Sequence, residues 1–143
     1  MARDDYGNMF SKAFDATGGG EFSGTLGSTR DIDVFQFNLA NAQEVQLKVN
    51  GNGFNLDTIL TVYDASGTIV DFNDDSSSAG TPNGSYLDLT LSGGTYYAVV
   101  SGYSNFADDT HTSSIHHNGI PSGPYFLGGS GNATGDYLFD LLV

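Results

Sequence analysis

The side chains best suited to chemistry in this sequence are carboxylates, and nearly all of them belong to aspartate. The chain holds fifteen Asp and two Glu, and Asp is both a good turn residue and a good calcium ligand. Asp31-Ile-Asp33 sets two carboxylates on one side of an extended segment, where they repel each other unless a cation or hydrogen-bond donors compensate. The pair therefore indicates a site at which a cation or a set of hydrogen-bond donors meets both carboxylates. The alternative is that both carboxylates open a strand and face solvent.

A second group of oxygen donors lies at alternate positions of Asp71–Asp75, as in the first half of an EF-hand loop. The EF-hand glycine is replaced by Ser76 and the closing glutamate by Pro82, so a calcium loop here would be of another kind. The Gly-rich segment 128–132 is similar to one copy of a calcium-binding nonapeptide repeat. That repeat needs tandem copies, so the segment is predicted to be a flexible loop.

Histidine offers a weaker metal site, and nucleophilic catalysis has little support. His111, His116 and His117 form the only imidazole cluster in the sequence, and with Asp108 or Asp109 they could bind zinc. Adjacent His116 and His117 would point apart in an extended chain, and the alternative is a polar loop with exposed imidazoles. The chain has no Cys and no Gly-x-Ser-x-Gly elbow. No catalytic residues, and no enzyme activity, are therefore expected.

The elements that must position these side chains are predicted to be strands. Alternating runs such as Val34–Leu39 and Val45–Asn50, with turn signals between them, predict an all-β fold. The architecture expected is an antiparallel, jelly-roll-like β-sandwich with long loops at one end. The eight predicted strands are Phe22–Leu26, Val34–Leu39, Val45–Asn50, Thr58–Tyr63, Thr68–Phe72, Tyr86–Leu91, Thr95–Ser101 and Tyr137–Leu142. Before them, residues 8–14 are predicted to form a short helical turn, with Asn8 as its cap and Phe14 on its apolar face.

Two of these runs are predicted to form a β-hairpin around Asp64-Ala-Ser-Gly67. Asp favours the first position of a type I turn, and Gly supplies the positive φ that closes such a hairpin. Because a hairpin folds back on itself, its first and last residues are expected to lie side by side. The side chains that would meet there are Asp57, Asn73, Asp74 and Asp75.

If each strand runs opposite to the one before it, the connections alternate between the two ends of the sandwich. One end receives the short connections 40–44, 64–67 and 92–94. The other, here called the acidic end, receives the long connections 28–32, 51–56, 73–85 and 102–133. Its acidic residues are Asp31, Asp33, Asp57, Asp74, Asp75, Asp108 and Asp109. Function is expected at this end, because binding residues commonly lie on loops held by a rigid scaffold.

The net charge of the chain excludes some classes of binding partner, and its length indicates how many domains it contains. The net charge of −13 repels nucleic acid and anionic membranes, and no stretch is long and apolar enough to span a bilayer. The N-terminus has no apolar signal run. Residues 1–143 are expected to form a single domain that is one module of a longer protein. Within it, residues 1–20 are expected to act as an N-terminal clasp, and residues 102–133 as a long loop that contacts the ligand.

Several motifs, in order along nearly the whole chain, resemble the bacterial pre-peptidase C-terminal domain family. They are Asp4-Asp-Tyr-Gly-Asn8, Ser23-Gly-Thr-Leu26, Asp31-Ile-Asp-Val-Phe35, Leu56-Asp-Thr-Ile-Leu60, Val62-Tyr-Asp-Ala-Ser-Gly67, Asn73-Asp-Asp75, Gly94-Thr-Tyr-Tyr-Ala-Val-Val-Ser-Gly102 and Gly135-Asp-Tyr-Leu138. Members of this family are non-catalytic β-sandwich modules of secreted proteases, collagenases and large surface adhesins. The segment Tyr103–Gly131 departs from the family, because it is longer and richer in His.

The resemblance implies a calcium-dependent, non-catalytic module of a secreted or cell-surface bacterial adhesin or protease, with a peptide or protein as its ligand. It implies a calcium shared between Asp31-Ile-Asp33 and the N-terminal segment. With the residues of the acidic end, the expected calcium ligands are Asp4, Asp5, Asn8, Asp31, Asp33, Asp57, Asp74, Asp75, Asp108 and Asp109. The residues expected to contact the ligand on the long loop are Tyr103, Asn105, Phe106, Asp109 and His111.

Two other functions stay open at this point. A carbohydrate-binding module is one, although the chain has no Trp and sugar sites usually present exposed aromatic faces. A structural spacer stiffened by calcium is the other, although a spacer would not need a loop as long as 102–133. A calcium whose coordination shell is partly open could accept a ligand carboxylate, whereas a closed shell would make the ion purely structural.

Overall fold

In a computed structural model of the chain, the described residues are 6, 12–27, 31–51, 56–73, 84–102 and 134–143. They form nine strands and, within those ranges, no α-helix. The strands are β1 (Phe14–Asp15), β2 (Gly20–Leu26), β3 (Ile32–Leu39), β4 (Gln43–Gly51), β5 (Thr58–Asp64), β6 (Ile69–Asn73), β7 (Ser85–Leu91), β8 (Gly94–Gly102) and β9 (Gly135–Leu142). The described part of the chain therefore contains no helix able to cross a membrane.

The strands form two sheets. The five-stranded sheet has the order β1-β3-β8-β5-β6, and the four-stranded sheet has the order β2-β9-β4-β7. Every pairing is antiparallel except the short parallel pairing of β1 with β3. From β2 to β9 the chain changes sheets at each connection except the β5–β6 hairpin. The predicted antiparallel, jelly-roll-like β-sandwich is confirmed, and each of the eight predicted strands overlaps an observed one.

The core lies between the sheets and follows from the period-two alternation of the strands. In β4 the buried residues Val45, Leu47 and Val49 face inward, and the polar residues between them are more exposed. β5 is buried along nearly its whole length. The reason is that the outer face of the five-stranded sheet also carries a buried apolar cluster, which includes Ile32 and Tyr63.

The N-terminal segment joins the edges of both sheets. Phe14 lies in β1, opposite Phe35 of β3, and its ring makes an edge contact with Phe22 of β2. The Tyr6 hydroxyl donates a hydrogen bond to the backbone oxygen of Ser23 (2.7 Å). The predicted helical turn is therefore wrong at Phe14, where strand pairing and aromatic packing prevail over the helical spacing. Residues 8–11 of that prediction lie outside the described residues.

The hairpin between β5 and β6 is confirmed, with Asp64 and Gly67 in the predicted roles. Gly67 has φ of 86°, and its N–H donates to the backbone oxygen of Asp64 (3.1 Å). The Asp64 carboxylate accepts hydrogen bonds from the N–H of Ser66 (2.9 Å) and of Thr68 (3.1 Å). The turn is thus closed by one aspartate and by one glycine in a conformation that other residues rarely adopt.

The strand directions agree with the predicted alternation. β3 and β5 both run antiparallel to β8, and β2 and β4 both run antiparallel to β9. The starts of β3, β5, β7 and β9 and the ends of the other four long strands therefore meet at one end of the sandwich. That end is the acidic end.

Candidate functional site

The acidic end is assembled from strand termini of both sheets. In the five-stranded sheet, Ile32 of β3 and Thr58 of β5 pair with Ser101 and Gly102 at the end of β8. In the four-stranded sheet, Leu26 pairs with Gly135, and Gly51 pairs with Tyr137. Regular pairing continues to the last residue of several strands, so side chains at this end stand on a rigid frame.

Asp31 lies immediately before β3 and is buried, with 7% of its surface exposed. Its Oδ2 accepts a hydrogen bond from the backbone N–H of Gly27 (2.8 Å), which follows the end of β2. The carboxylate therefore ties the two strands that flank the connection 28–30. A bond from a main-chain donor to a carboxylate also stabilises its charged form.

Asp33 is fully buried and shares the inward face of β3 with Phe35. Its Oδ2 accepts a hydrogen bond from the hydroxyl of Tyr137, at the start of β9 in the opposite sheet (2.5 Å). This bond joins the two sheets at the acidic end. The alternative in which both carboxylates face solvent is excluded, because Asp31 and Asp33 are both buried.

The position of Tyr137 depends on Gly24, its register partner on β2. A Cβ atom at Gly24 would lie 2.3 Å from the Tyr137 hydroxyl oxygen, far inside van der Waals contact. Glycine in the interior of a strand often marks such a close approach. Gly24 thus leaves the space through which the Tyr137 ring reaches Asp33.

A second polar bridge crosses between the sheets at the same end. The hydroxyl of Ser85, at the start of β7, donates to the backbone oxygen of Thr58 (2.9 Å). The two hydroxyl groups are also 2.9 Å apart. Since the single Ser85 proton is used on the carbonyl, the Thr58 hydroxyl is the donor between them. Both residues are fully buried, so this bridge is shielded from water.

The predicted meeting of Asp57 with Asn73 is only partly reproduced. The β5–β6 register places Asn73 opposite Leu60, three residues from Asp57. Asn73 turns instead to the other sheet, where its Oδ1 accepts a hydrogen bond from the N–H of Tyr86 (3.0 Å). Asp57 is half-buried at the acidic end, just before β5. The side-by-side placement expected for Asn73 is therefore wrong, because a register shift between Val62 and Tyr63 sets Asn73 further along β5.

Of the predicted site residues, the structure describes Asp31, Asp33 and Asp57, and it places all three at the acidic end. The others lie outside the described residues: Asp4, Asp5, Asn8, Asp74, Asp75, Tyr103, Asn105, Phe106, Asp108, Asp109, His111, His116 and His117. Among the described residues no group of three or more His, Cys, Asp or Glu side chains is close enough together to hold a metal ion. Asp31 and Asp33 would need ligands from elsewhere in the chain to complete a calcium shell.

Sequence reasoning missed the hydroxyl groups that organise this end. Tyr137 lies in one of the quoted motifs, Gly135-Asp-Tyr-Leu138, but nothing local marks it as the partner of Asp33. The signal available for Thr58 and Ser85 was their polar character at inward positions of buried strands. An inward polar residue at a strand end indicates a bonded partner, because burial without one costs free energy.

Comparison with solved structures shows proteins of the same architecture. The pre-peptidase C-terminal domain of collagenase from Bacillus anthracis has 15% identity and a TM-score of 0.61, over 92% of this chain and 95% of that one. A surface-associated copper-binding protein, CorA of Methylomicrobium album BG8, has 12% identity and a TM-score of 0.58, over 92% and 98% of the two chains. The mitogen of Yersinia pseudotuberculosis has 10% identity and a TM-score of 0.51, over 87% and 85%. At these identities the likeness shows the fold alone.

No curated protein matches the chain. The model of the bacterial pre-peptidase C-terminal domain, in contrast, matches residues 31–102. This region runs from Asp31 to the end of β8, and so contains the buried carboxylate pair and the β5–β6 hairpin. Since the match spans half of the 143 residues, the chain belongs to the bacterial pre-peptidase C-terminal domain family.

Proposed function

We propose that this chain is a calcium-dependent, non-catalytic binding module of a secreted bacterial protein, and that its ligand is a peptide or protein segment. The observation that carries the proposal is the burial of Asp31 and Asp33 at the end of the sandwich that gathers the long connections. Removing a carboxylate from water costs on the order of several kcal/mol. Two of them in one short segment add mutual repulsion, which a bound cation converts into attraction.

Membership of the family supports both the lack of catalysis and the location. Domains of this family are accessory to the catalytic domains of proteases, and the similar domain from Bacillus anthracis is part of a collagenase. The similar copper-binding protein is described as surface-associated. We therefore place the module outside the bacterial cytoplasm, either extracellular or periplasmic, and assign it a binding role.

The chemistry of the donors fits calcium. Asp31 and Asp33 supply carboxylate oxygens, and calcium takes six to eight oxygen ligands. In the proposed shell these two residues are joined by Asp4, Asp5 and Asn8 of the N-terminal segment. Asp57, Asp74, Asp75, Asp108 and Asp109 are the proposed ligands of a second ion. Calcium would stiffen the acidic end and reverse its local field.

The proposed ligand contact follows from that reversed field. A strongly acidic surface repels a carboxylate, but a bound calcium with open coordination positions accepts one, such as the C-terminus of a peptide or an Asp side chain. The chain residues proposed to contact the rest of the ligand are Tyr103, Asn105, Phe106, Asp109 and His111. The two aromatic rings would pack against apolar parts of neighbouring ligand residues.

The first prediction is that calcium raises the melting temperature and that this gain depends on Asp31. A ligand that binds only the native state adds about 2.7 kcal/mol at a hundredfold excess over its dissociation constant. Melting is measured in calcium and in EDTA for the wild type, for Asp31→Asn, and for Asp88→Asn at an exposed position of β7. Asp31→Asn should lose most of the gain and Asp88→Asn should keep it. Equal melting of the wild type in calcium and in EDTA would refute the calcium proposal.

The second prediction separates the ligand contact from the structural ion. Peptide arrays probed in calcium and in EDTA identify a bound peptide, whose affinity is then measured for Asp109→Ala and Asp31→Ala. Asp109→Ala should lose peptide binding while keeping most of its stability, because Asp109 is proposed to hold the open calcium. Asp31→Ala should lose stability. Unchanged binding by Asp109→Ala, or an equal loss of stability in both variants, would contradict this division of roles.

A further inference from the structure

The outer face of the four-stranded sheet contains a shallow groove that extends from Tyr86, next to Ser85 at the acidic end, to Leu142. Its lining residues come from three adjacent strands, and its volume is about 140 Å³. We call it the sheet-face groove, and it is lined by Gln46, Lys48, Tyr86, Asp140 and Leu142. A pocket for a drug-sized molecule is usually about 300–1,000 Å³. The groove is therefore suited to a small unit, such as one ring of a chain molecule.

The polar groups of the groove stand in a row fixed by strand register. Lys48 on β4 is opposite Tyr86 on β7 and opposite Asp140 on β9. The Lys48 ammonium and the Asp140 carboxylate are 3.7 Å apart, and their side chains are 37% and 27% exposed. Charge-assisted hydrogen bonds are usually about 2.7–2.9 Å long. At the longer distance, both groups keep hydrogen-bonding capacity for a hydroxyl that accepts from Lys48 and donates to Asp140.

Tyr86 provides the aromatic ring of the groove, beside the apolar side chain of Leu142. Its backbone is held by the hydrogen bond from its N–H to Asn73, while its side chain is half-buried on the outer face. None of the ring contacts among the described residues involves Tyr86, whereas Phe22 and Phe35 each contact several rings. An aromatic side chain that is anchored through its backbone and half-buried on an outer face can pack against the C–H groups of a sugar ring.

Charge selects among the sugars. The lining holds one cation and one anion, so the groove itself is neutral. Its neighbours on the same face are acidic, since Glu21 pairs with Asp140 and Asp88 pairs with Gln46. Both neighbours are exposed, and the chain carries a net charge of −13. Uronic acids, sulfated glycans and acidic peptides are therefore repelled.

From these features we propose that the sheet-face groove binds a pyranose unit of a neutral oligosaccharide. The Tyr86 ring packs against the sugar ring, and Lys48, Asp140 and Gln46 together offer the donors and acceptors that vicinal hydroxyls require. The groove is built on paired strands and contains no proposed calcium ligand. Its binding is therefore independent of calcium and separate from the peptide contact proposed for the acidic end.

The test uses neutral hexasaccharides as probes of the whole chain: cellohexaose, xylohexaose, mannohexaose and laminarihexaose. Two-dimensional NMR of the ¹⁵N-labelled protein is recorded with each probe, in calcium and in EDTA, at a temperature where both forms are folded. At least one probe should shift the amide signals of residues 46, 48, 86, 140 and 142, equally in both conditions. Binding that requires calcium while the fold is intact would overturn this proposal and would leave the calcium proposal standing.

Variants decide whether the groove itself is the site. Tyr86→Ala should weaken binding about tenfold, which corresponds to about 1.4 kcal/mol. Lys48→Met, which keeps the length of the side chain, should also weaken oligosaccharide binding. If Tyr86→Ala fails to fold, the result with Lys48→Met tests the groove. Phe72→Ala removes an exposed aromatic ring (53% exposed) from the other sheet and should leave the affinity unchanged.

Three outcomes would overturn the proposal. One is that no neutral hexasaccharide binds at millimolar concentration. Another is that Tyr86→Ala and Lys48→Met both bind as well as the wild type. The third is that a galacturonate hexamer or a gelatin peptide, added as competing probes, shifts these amides more strongly than the neutral sugars do.

Discussion

At the scale of single residues, the hydroxyl of Tyr137 determines how a buried carboxylate is accommodated. Asp33 is fully buried between the sheets, and the Tyr137 hydroxyl donates to its Oδ2. Gly24 contributes by lacking a side chain, because any Cβ there would overlap the Tyr137 ring. Three residues from three strands thus act together. Asp33 supplies the carboxylate, Tyr137 supplies the hydrogen-bond donor, and Gly24 leaves the space that the Tyr137 ring occupies.

Removal of this hydroxyl by Tyr137→Phe should destabilise the protein by about 1 to 3 kcal/mol, because a buried carboxylate oxygen loses its donor. Tyr96→Phe is the matched control. The Tyr96 hydroxyl donates to the backbone oxygen of Ser92 (3.0 Å), which lies in an exposed turn that water can reach. Its loss should cost about 1 kcal/mol or less. Urea denaturation of both variants measures the loss of unfolding free energy. Equal losses would show that the hydrogen bond of Tyr137 stabilises the protein no more than that of Tyr96.

Residue chemistry could be predicted from the sequence only where it is local. The spacing of Asp31 and Asp33 marked them as site candidates, and the structure places both at the acidic end. Their burial could not be predicted, because the partner of Asp33 is 104 residues away in the sequence and pairing at that distance depends on the whole fold. The role of Asn73 was misjudged for the same reason, since its partner lies on a strand of the other sheet.

At the scale of elements, the turn of the β5–β6 hairpin is stabilised by hydrogen bonds to the ionised carboxylate of Asp64. Partial burial on its own would raise the pKa of Asp64, but the hydrogen bonds from Ser66, Thr68 and Gly67 outweigh it and lower the pKa below the ordinary value of 3.8. The hydrogen-bond donors of the turn therefore favour the ionised carboxylate. The stability that this preference adds is present above pH 3.8 and is lost as the pH falls through the lowered pKa.

The stability gap between the wild type and Asp64→Ala should therefore be largest at neutral pH and should shrink as the pH approaches about 3. Thermal melting over this range measures the gap. Asp88→Ala, at an exposed position of β7, serves as the control and should melt with the wild type throughout. A gap that is independent of pH would show that the turn needs the shape of Asp64 but not its charge.

Element by element, the sequence was informative wherever alternation and turn chemistry agreed. The Asp64–Gly67 turn and the alternation in β3 and β4 are strong local signals, and the corresponding strands are present. β1 was missed because two residues, Phe14 and Asp15, cannot display a period. β1 exists because Phe14 packs into an aromatic cluster between the sheet edges. Such a contact joins distant segments, and no short window of sequence contains it.

At the scale of the whole molecule, charge opposes compaction. The chain carries seventeen acidic and four basic residues, a net charge of −13. Self-repulsion of this kind destabilises a compact state, and dissolved salt screens it. The two sheets must therefore be held together against a field that acts across the entire surface.

Without calcium, the melting temperature should rise as sodium chloride is increased from low ionic strength to about 0.15 M, where the Debye length is about 8 Å. If calcium binds as proposed, the rise should be smaller in saturating calcium, because the bound ions would offset part of the charge at the acidic end. Sodium chloride titrations of thermal melting, in EDTA and in calcium, make the comparison. A melting temperature that falls with salt in EDTA would mean that attractive ion pairs dominate the surface.

The position of β9 determines when the chain can fold. β9 is the ninth strand, yet it lies in the middle of the four-stranded sheet, between β2 and β4. During synthesis β2 and β4 emerge first and have no common neighbour, because residues 135–142 that will join them come much later. Pairing over such long stretches of chain is slow. The four-stranded sheet therefore cannot be completed until residues 135–142 have been made, although the pairing of β4 with β7 does not depend on them.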